Sequence, residues 1–255
     1  MSVRREFEQR AGGTVARISL DNPRKLNILT REALGALVET MREVELNAGL
    51  RAVVITGAGE KAFIGGADLD TLGALDSLSA REFIGMVHAA CAAVRDCPVP
   101  VIARVNGWCI GAGVELAAAC DLRIAVDTAA FAMPEVRLGI PSVVEAALLP
   151  RLMGAGRARW LVMTGETIGA RQALEWGLVE KVVPAEHLDS AVNAALDAVL
   201  AASDEAIRAQ KRLAKLWEEA PLEASVRASV DEFARAYETP EPARRIHAFR
   251  SRRKK

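Results

Sequence analysis

Histidine is scarce in this chain, with three residues among 255, and the three stand far apart in sequence. The four cysteines, Cys91, Cys97, Cys109 and Cys120, include no C-x-x-C pair. These two shortages argue against a zinc site, so no metal is expected and the cysteines read as buried free thiols. A chain of this length also buries a sizeable core without disulfide staples.

Charge of either sign is not in surplus. Lysine plus arginine and aspartate plus glutamate number 33 each, and the formal net charge is zero. That balance makes nucleic acid an unlikely default partner. No apolar run approaches the roughly 20 residues of a membrane-spanning helix, and the opening residues, 1–6, lack the apolar region of a signal peptide. A soluble cytoplasmic protein is expected, without a membrane partner. Nothing rich in proline and serine interrupts the chain, which favours one main domain with a helical C-terminal part.

What is present is concentrated in residues 101–121, VIARVNGWCIGAGVELAAACD. Residues 101–105 read as a buried strand, Gly107, Gly111 and Gly113 as a turn, and residues from about 112 to 120 as a short helix. One residue is out of place. Glu115 lies among Val114, Leu116 and three alanines, and a carboxylate is almost never fully buried unless paired or used. The same helix start offers unpaired backbone N–H groups that a ligand oxygen can approach, because no bulky side chain stands in the way. A tight turn with an ordinary glutamate at a helix start accounts for this segment about equally well.

The rest of the chain follows the same rhythm. Residues 3–9 and 14–20 read as a hairpin around Gly12-Gly13, and Thr30 as the cap of a helix with Leu34, Leu37, Val38 and Met41 on its apolar stripe. Residues 51–56 form a buried strand and residues 57–68 a second glycine-rich turn. A helix spans about 80–95. Strands follow at 121–126 and 129–133, then a helix from about 142 broken near Pro150. This threefold repeat of strand, turn and short helix indicates a stacked or spiral α/β core. From residue 170 the pattern becomes a short helix stopped by Gly177, a last strand at 178–183, and helices at 186–202, 204–217 and 222–237.

Residues 53–62, VVITGAGEKA, fit a strand followed by G-x-G-x-x-A, the dinucleotide fingerprint. That motif requires a helix directly after its glycines, and Phe63-Ile64-Gly65-Gly66 intervenes, so nicotinamide binding is disfavoured. The turn has another use. Ala67 presents an N–H beside a ligand, with Asp68 capping the following helix, and two such turns supply a two-donor oxyanion hole. Two further carboxylates, Glu135 and Glu145, stand near apolar segments. A pair of carboxylates at one carbon can divide acid and base duties when their environments separate their pKa values. Glu145 reads first as a surface residue at a helix start, with an extra acid as the alternative.

In combination, AFIGGAD at 62–68, VNGWCIGAGVELAAACD at 105–121, FAMPEVRLGIP at 131–141 and MTGETI at 163–168 resemble the enoyl-CoA hydratase/isomerase (crotonase) superfamily over nearly the whole chain. The resemblance implies an α/β spiral of repeated ββα units in residues 1–190, carrying a CoA-thioester site. It further implies a C-terminal helical trimerisation region at 191–255, and a homotrimer or dimer of trimers. It places the oxyanion-hole N–H groups at Ala67 and Ala112 and the catalytic glutamates at Glu115 and Glu135. Arg24 and Lys25 become candidate CoA phosphate contacts. Asp68, Leu69, Trp108 and Val143 border the substrate, and Phe249 with the basic tail reaches toward a neighbouring subunit's CoA. The implied activity is hydration of a 2-enoyl-CoA in fatty acid metabolism, with CoA entering as part of the substrate and no prosthetic group. A double-bond isomerase, or another CoA-thioester hydrolase or lyase, is the alternative. A non-catalytic member binding RNA or a partner through the tail is the reading from a different class. One departure stands out. Where well-known hydratases carry a glycine-rich run after the proline, this chain has Ser142-Val-Val-Glu-Ala-Ala-Leu-Leu149.

Overall fold

The computed structural model of the protein describes residues 2–252; the last three residues of the basic tail, 253–255, lie outside the described residues. The chain divides into two compact units, one running to Ala201 and one starting at Ala202. In the first unit the elements are β1 (Ser2–Arg10), β2 (Gly13–Asp21), α1 (Arg31–Glu45), β3 (Leu50–Gly57), β4 (Ala62–Ile64), α2 (Leu69–Gly73) and α3 (Ser77–Asp96). They continue as β5 (Val101–Val105), β6 (Trp108–Ile110), α4 (Ala112–Ala119), β7 (Leu122–Val126), β8 (Ala130–Ala132), α5 (Leu149–Met153) and α6 (Ala155–Thr164). The unit ends with β9 (Thr167–Gly169), α7 (Ala170–Trp176), β10 (Lys181–Val183) and α8 (Leu188–Ala201).

The strands sort into two sheets. A six-stranded sheet has the order β1-β2-β3-β5-β7-β10 and a four-stranded sheet the order β4-β6-β8-β9. In each repeat the first strand enters the large sheet and the second the small one. Thus β3, β5 and β7 run side by side in parallel, while β4, β6 and β8 do the same in the other sheet. The chain winds forward as a spiral of ββα units. An isolated parallel bridge between Leu29 and Ala67 stands where the repeat after β2 lacks a second strand.

Strands β3 and β5 are nearly all apolar because parallel strands in this position are covered on both faces. Helix α1 is capped as expected, the Thr30 hydroxyl accepting from the Ala33 N–H at 3.3 Å. It buries Leu34, Leu37, Met41 and Val44. Helix α4 differs in kind: all eight of its residues are buried, so it is a core helix with no wet face. Gly113 is required there, since a Cβ on it would meet the Ile64 carbonyl oxygen at 2.5 Å.

As expected, no helix follows Gly57-Ala58-Gly59; β4 comes next, and the geometry of a dinucleotide fingerprint is not formed. Other expectations change. The helix expected from Ser142 is a 3-10 turn over Val144–Leu148, and Pro150 does not break a helix but occupies the first turn of α5, where its missing N–H costs nothing. The last strand shrinks to Lys181–Val183. Helix α8 belongs with the first unit, because Leu188, Val192, Leu196 and Leu200 enter its core. All four cysteines are buried free thiols, as expected.

The second unit holds α9 (Asp204–Glu219), α10 (Leu222–Ala236) and α11 (Glu241–Arg252). The expected tail is therefore helical through Arg252. Among the described residues no helix is long and apolar enough to cross a membrane.

Candidate active site

Two glycine-rich turns meet at the ends of β4 and β6. Gly66 has φ +104°, and a Cβ there would approach the Ile110 carbonyl oxygen at 3.3 Å, so the turn carrying Ala67 rests directly on the strand that leads into Ala112. Pairing of β4 with β6 holds the two turns in register. Among the described residues, neither the Ala67 nor the Ala112 N–H donates to a backbone carbonyl. Ala112 is the first residue of α4, where the N–H has no intrahelical partner and the helix dipole is positive. The turns thus bring two free backbone donors close together.

Buried asparagines, not foreseen from sequence, hold this backbone in place. Asn106 Nδ2 donates to the carbonyls of Gly57, Gly59 and Ala62, at 3.0, 2.7 and 3.1 Å. Asn27 Nδ2 donates to those of Ala58 and Ala62. Both are small amides in the connections between elements, where a single asparagine leaves no periodic trace.

Glu115, on α4, is 4% exposed. Burial pushes its pKa up to about 8, and the charges of Glu135 and Glu145 add to the rise. The backbone of Ala146 and Val143 beside its carboxylate pulls the other way, the Ala146 N–H also donating to the Val143 carbonyl at 3.0 Å. Glu135 begins the 3-10 turn Glu135–Leu138, and burial raises its pKa as well. The Ser142 hydroxyl donates to Glu135 Oε2 at 2.9 Å. On the other side, a Cβ on Gly111 would stand 2.5 Å from Glu135 Oε1. Gly111 immediately precedes Ala112, so the two carboxylates and one of the donors share a single neighbourhood.

Glu145 is not the surface residue that its position in sequence suggested. It is 5% exposed, and the imidazole N–H at His88 Nδ1 donates to Glu145 Oε1 at 2.8 Å. His88 was not singled out from sequence, since an exposed helical histidine carries no spacing signal, and Ser142 was named only as the start of the run 142–149 that departs from the glycine-rich pattern.

The remaining candidates lie around this centre or away from it. Asp68 caps α2, accepting from the Thr71 N–H at 3.0 Å, and Leu69 follows it with its side chain exposed. Val143 adjoins Ser142 and is partly exposed, whereas Trp108 is exposed at the opposite end of β6 from Gly111. Arg24 and Lys25 are exposed on a 3-10 turn over Pro23–Lys25. The loop that follows packs on the Ala67 turn, the Gly65 N–H donating to the Leu26 carbonyl at 2.8 Å. Phe249 is exposed on α11 of the second unit.

Comparison with known proteins agrees with this arrangement. The family model described as enoyl-CoA hydratase/isomerase matches residues 10–255. A crotonyl-CoA hydratase from Syntrophomonas wolfei is 33% identical over 241 residues, covering 94% of this chain and 93% of that protein. A short-chain-enoyl-CoA hydratase from Clostridium acetobutylicum is 31% identical over 243 residues, covering 95% and 93%. Among solved structures, that of an enoyl-CoA hydratase from Bacillus anthracis superposes with a TM-score of 0.92 at 31% identity, covering 99% of this chain and 97% of that one. With two sheets built from repeated ββα units and a match across almost its whole length, the chain belongs to the enoyl-CoA hydratase/isomerase family.

Proposed function

We propose that the protein is an enoyl-CoA hydratase, adding water across the 2,3 double bond of a 2-enoyl-CoA thioester. The observation that carries this reading is the pair of carboxylates Glu115 and Glu135, whose pKa values burial raises, set beside two adjacent turns with free backbone N–H groups. The thioester oxygen accepts from the N–H groups of Ala67 and Ala112, which draws electron density away from C3. Water adds its oxygen to C3 while Glu115 takes one of its protons, negative charge collects on the thioester oxygen, and Glu135 gives a proton to C2. One π bond is lost and one C–O and one C–H bond are formed. The reaction is redox-neutral, so CoA enters as part of the substrate and the chemistry calls on no prosthetic group or metal.

The two carboxylates share one proton in this scheme. Hydration starts with the proton on Glu135 and ends with it on Glu115, and burial raises the proton affinity of both groups. Before each hydration the proton returns to Glu135. Two coupled carboxylates then titrate as a pair, and the singly protonated form is the active one.

Arg24 and Lys25 are the proposed phosphate contacts, and Asp68, Leu69, Trp108 and Val143 the proposed walls of the substrate site. Exposed apolar side chains suit assembly as a trimer or dimer of trimers: Trp160, Met163 and Leu174 in the first unit, Leu222, Val230 and Phe233 in the second. Light scattering checks that assembly, in which Phe249 would approach a neighbour's CoA, and fractionation checks a cytoplasmic location. The activity itself is tested with crotonyl-CoA. The wild-type chain is expected to form 3-hydroxybutyryl-CoA, and Glu115→Gln and Glu135→Gln should each lower kcat by about 10²–10⁴. Hydration that survives both changes overturns the assignment.

A further inference from the structure

Residues 142–146 touch both catalytic carboxylates. The Ser142 hydroxyl donates to Glu135 Oε2, and the 3-10 turn packs against α4, which carries Glu115; the backbone of Val143 and Ala146 favours the charged form of that carboxylate, the Ala146 N–H also donating to the Val143 carbonyl at 3.0 Å. This short segment is held at some cost. Val144, a β-branched residue, has φ +41°, a left-handed conformation that side chains of its kind almost never adopt. The next residue, Glu145, brings a carboxylate into the core, and its Oε2 is buried without a hydrogen bond of ordinary geometry. The weak thiol donor of Cys91, on α3, lies against the same carboxylate. Packing alone would be served better by an apolar side chain at 145, because a buried carboxylate is costly unless it has work to do.

The segment packs on α4 and is also tied to α3. His88 lies on that helix with its side chain 59% exposed, and its Nδ1 reaches in to bond Glu145 Oε1 at 2.8 Å. We infer that His88 and Glu145 are positioning residues for catalysis: their hydrogen bond latches the strained 142–146 turn to α3, and the latched turn holds the Val143 and Ala146 backbone beside Glu115. The inference rests on the reading of Glu115 as a catalytic group. The ionisable groups around that carboxylate are Glu135 and Glu145 from the neighbouring turns and Cys91 from α3, with His88 behind Glu145. Opening the latch withdraws backbone that favours the charged form of Glu115. Neutralising Glu145 removes a like charge instead. The two changes therefore move the proton affinity of Glu115 in opposite directions.

Three variants separate these effects. His88→Ala opens the latch. His88→Asn keeps an N–H donor close to the position of Nδ1. Glu145→Gln keeps the shape and an acceptor oxygen but not the charge. In crotonyl-CoA hydration, His88→Ala is expected to lower kcat about 10-fold, the factor matching one charge-assisted hydrogen bond, with KM little changed and the alkaline limb of the pH profile moved upward. His88→Asn should recover most of the rate, and Glu145→Gln should move the alkaline limb downward. The Glu115 titration is also read without turnover, by infrared difference spectra of its carboxyl group, with Glu115→Gln identifying the band. If the wild type hydrates no enoyl thioester, the activity assignment fails, yet the opposite shifts in that titration still support the latch. The latch is overturned if His88→Ala leaves kcat and the titration unchanged, or if both histidine variants lose rate and stability alike.

Discussion

Gly111 and Glu135 are packed so closely that a methyl group on the glycine would stand 2.5 Å from Glu135 Oε1. Gly111 also sits at φ +52°, where an L side chain is strained by about 1–2 kcal/mol. Gly111→Ala must therefore either turn the Glu135 carboxylate away or shift the start of α4, and each displaces a group the reaction needs. The expected outcome is a folded protein, as judged by circular dichroism, with kcat reduced by about 10²–10⁴. A variant with wild-type kcat would show that Glu135 has no fixed part in the step.

The second donor is open to a sharper test. Proline is tolerated at the first position of a helix because the N–H it lacks has no helical partner there, and Ala112 occupies that position. The preceding Gly111, at ψ −119°, stands clear of the α region that a following proline disfavours. Ala112→Pro should thus delete one oxyanion donor while leaving α4 in place. A loss of about 10²–10³ in kcat, with KM changed far less, is the expected result in steady-state kinetics.

The architecture was largely legible in the sequence, because each repeat announces itself by a buried strand and a glycine-rich turn. The all-apolar neighbours of Glu115 singled it out, while an ordinary helix-start glutamate fitted that segment equally well; the structure buries it. The contacts of residues 142–146 were not legible. Their geometry depends on a left-handed Val144 and on a histidine 57 positions from its partner, and neither leaves a periodic trace. For the same reason Glu145 read as a surface residue: local sequence shows a helix-start glutamate, and only the packing of the 3-10 turn against α3 and α4 buries it.

Protonation of Glu115 should be visible in stability as well as in rate. Its pKa in the folded chain, about 8, lies above the usual 4.5, so the native state binds the proton more tightly than the unfolded state. Stability tied to this group is fully present below the unfolded value and is lost as pH rises through about 8. Glu115→Gln removes the titration. Relative to wild type it should gain a few kcal/mol at about pH 9 and little at about pH 5, measured by denaturant unfolding at both pH values. An equal effect at the two would place the cause elsewhere.

Lys25 and Arg24 are exposed, so the CoA-phosphate contact proposed for them is electrostatic and screened. Replacing both by alanine is expected to raise KM several-fold at low salt, with kcat nearly unchanged, and the difference from wild type should shrink as salt is added. Titration of KM against ionic strength distinguishes this from a general loss of folding, which would lower the active fraction and leave KM alone.

The central claim is that Glu115 and Glu135 direct a water molecule to C3 of an enoyl thioester. It is tested most directly by incubating crotonyl-CoA with the protein in water enriched in oxygen-18 and analysing the thioester by mass spectrometry and NMR. The expected product is 3-hydroxybutyryl-CoA with the label in its 3-hydroxyl group, formed by the wild type and essentially lost in Glu115→Gln and Glu135→Gln. An unlabelled product with a shifted double bond, release of free CoA, or recovery of unchanged substrate would contradict it.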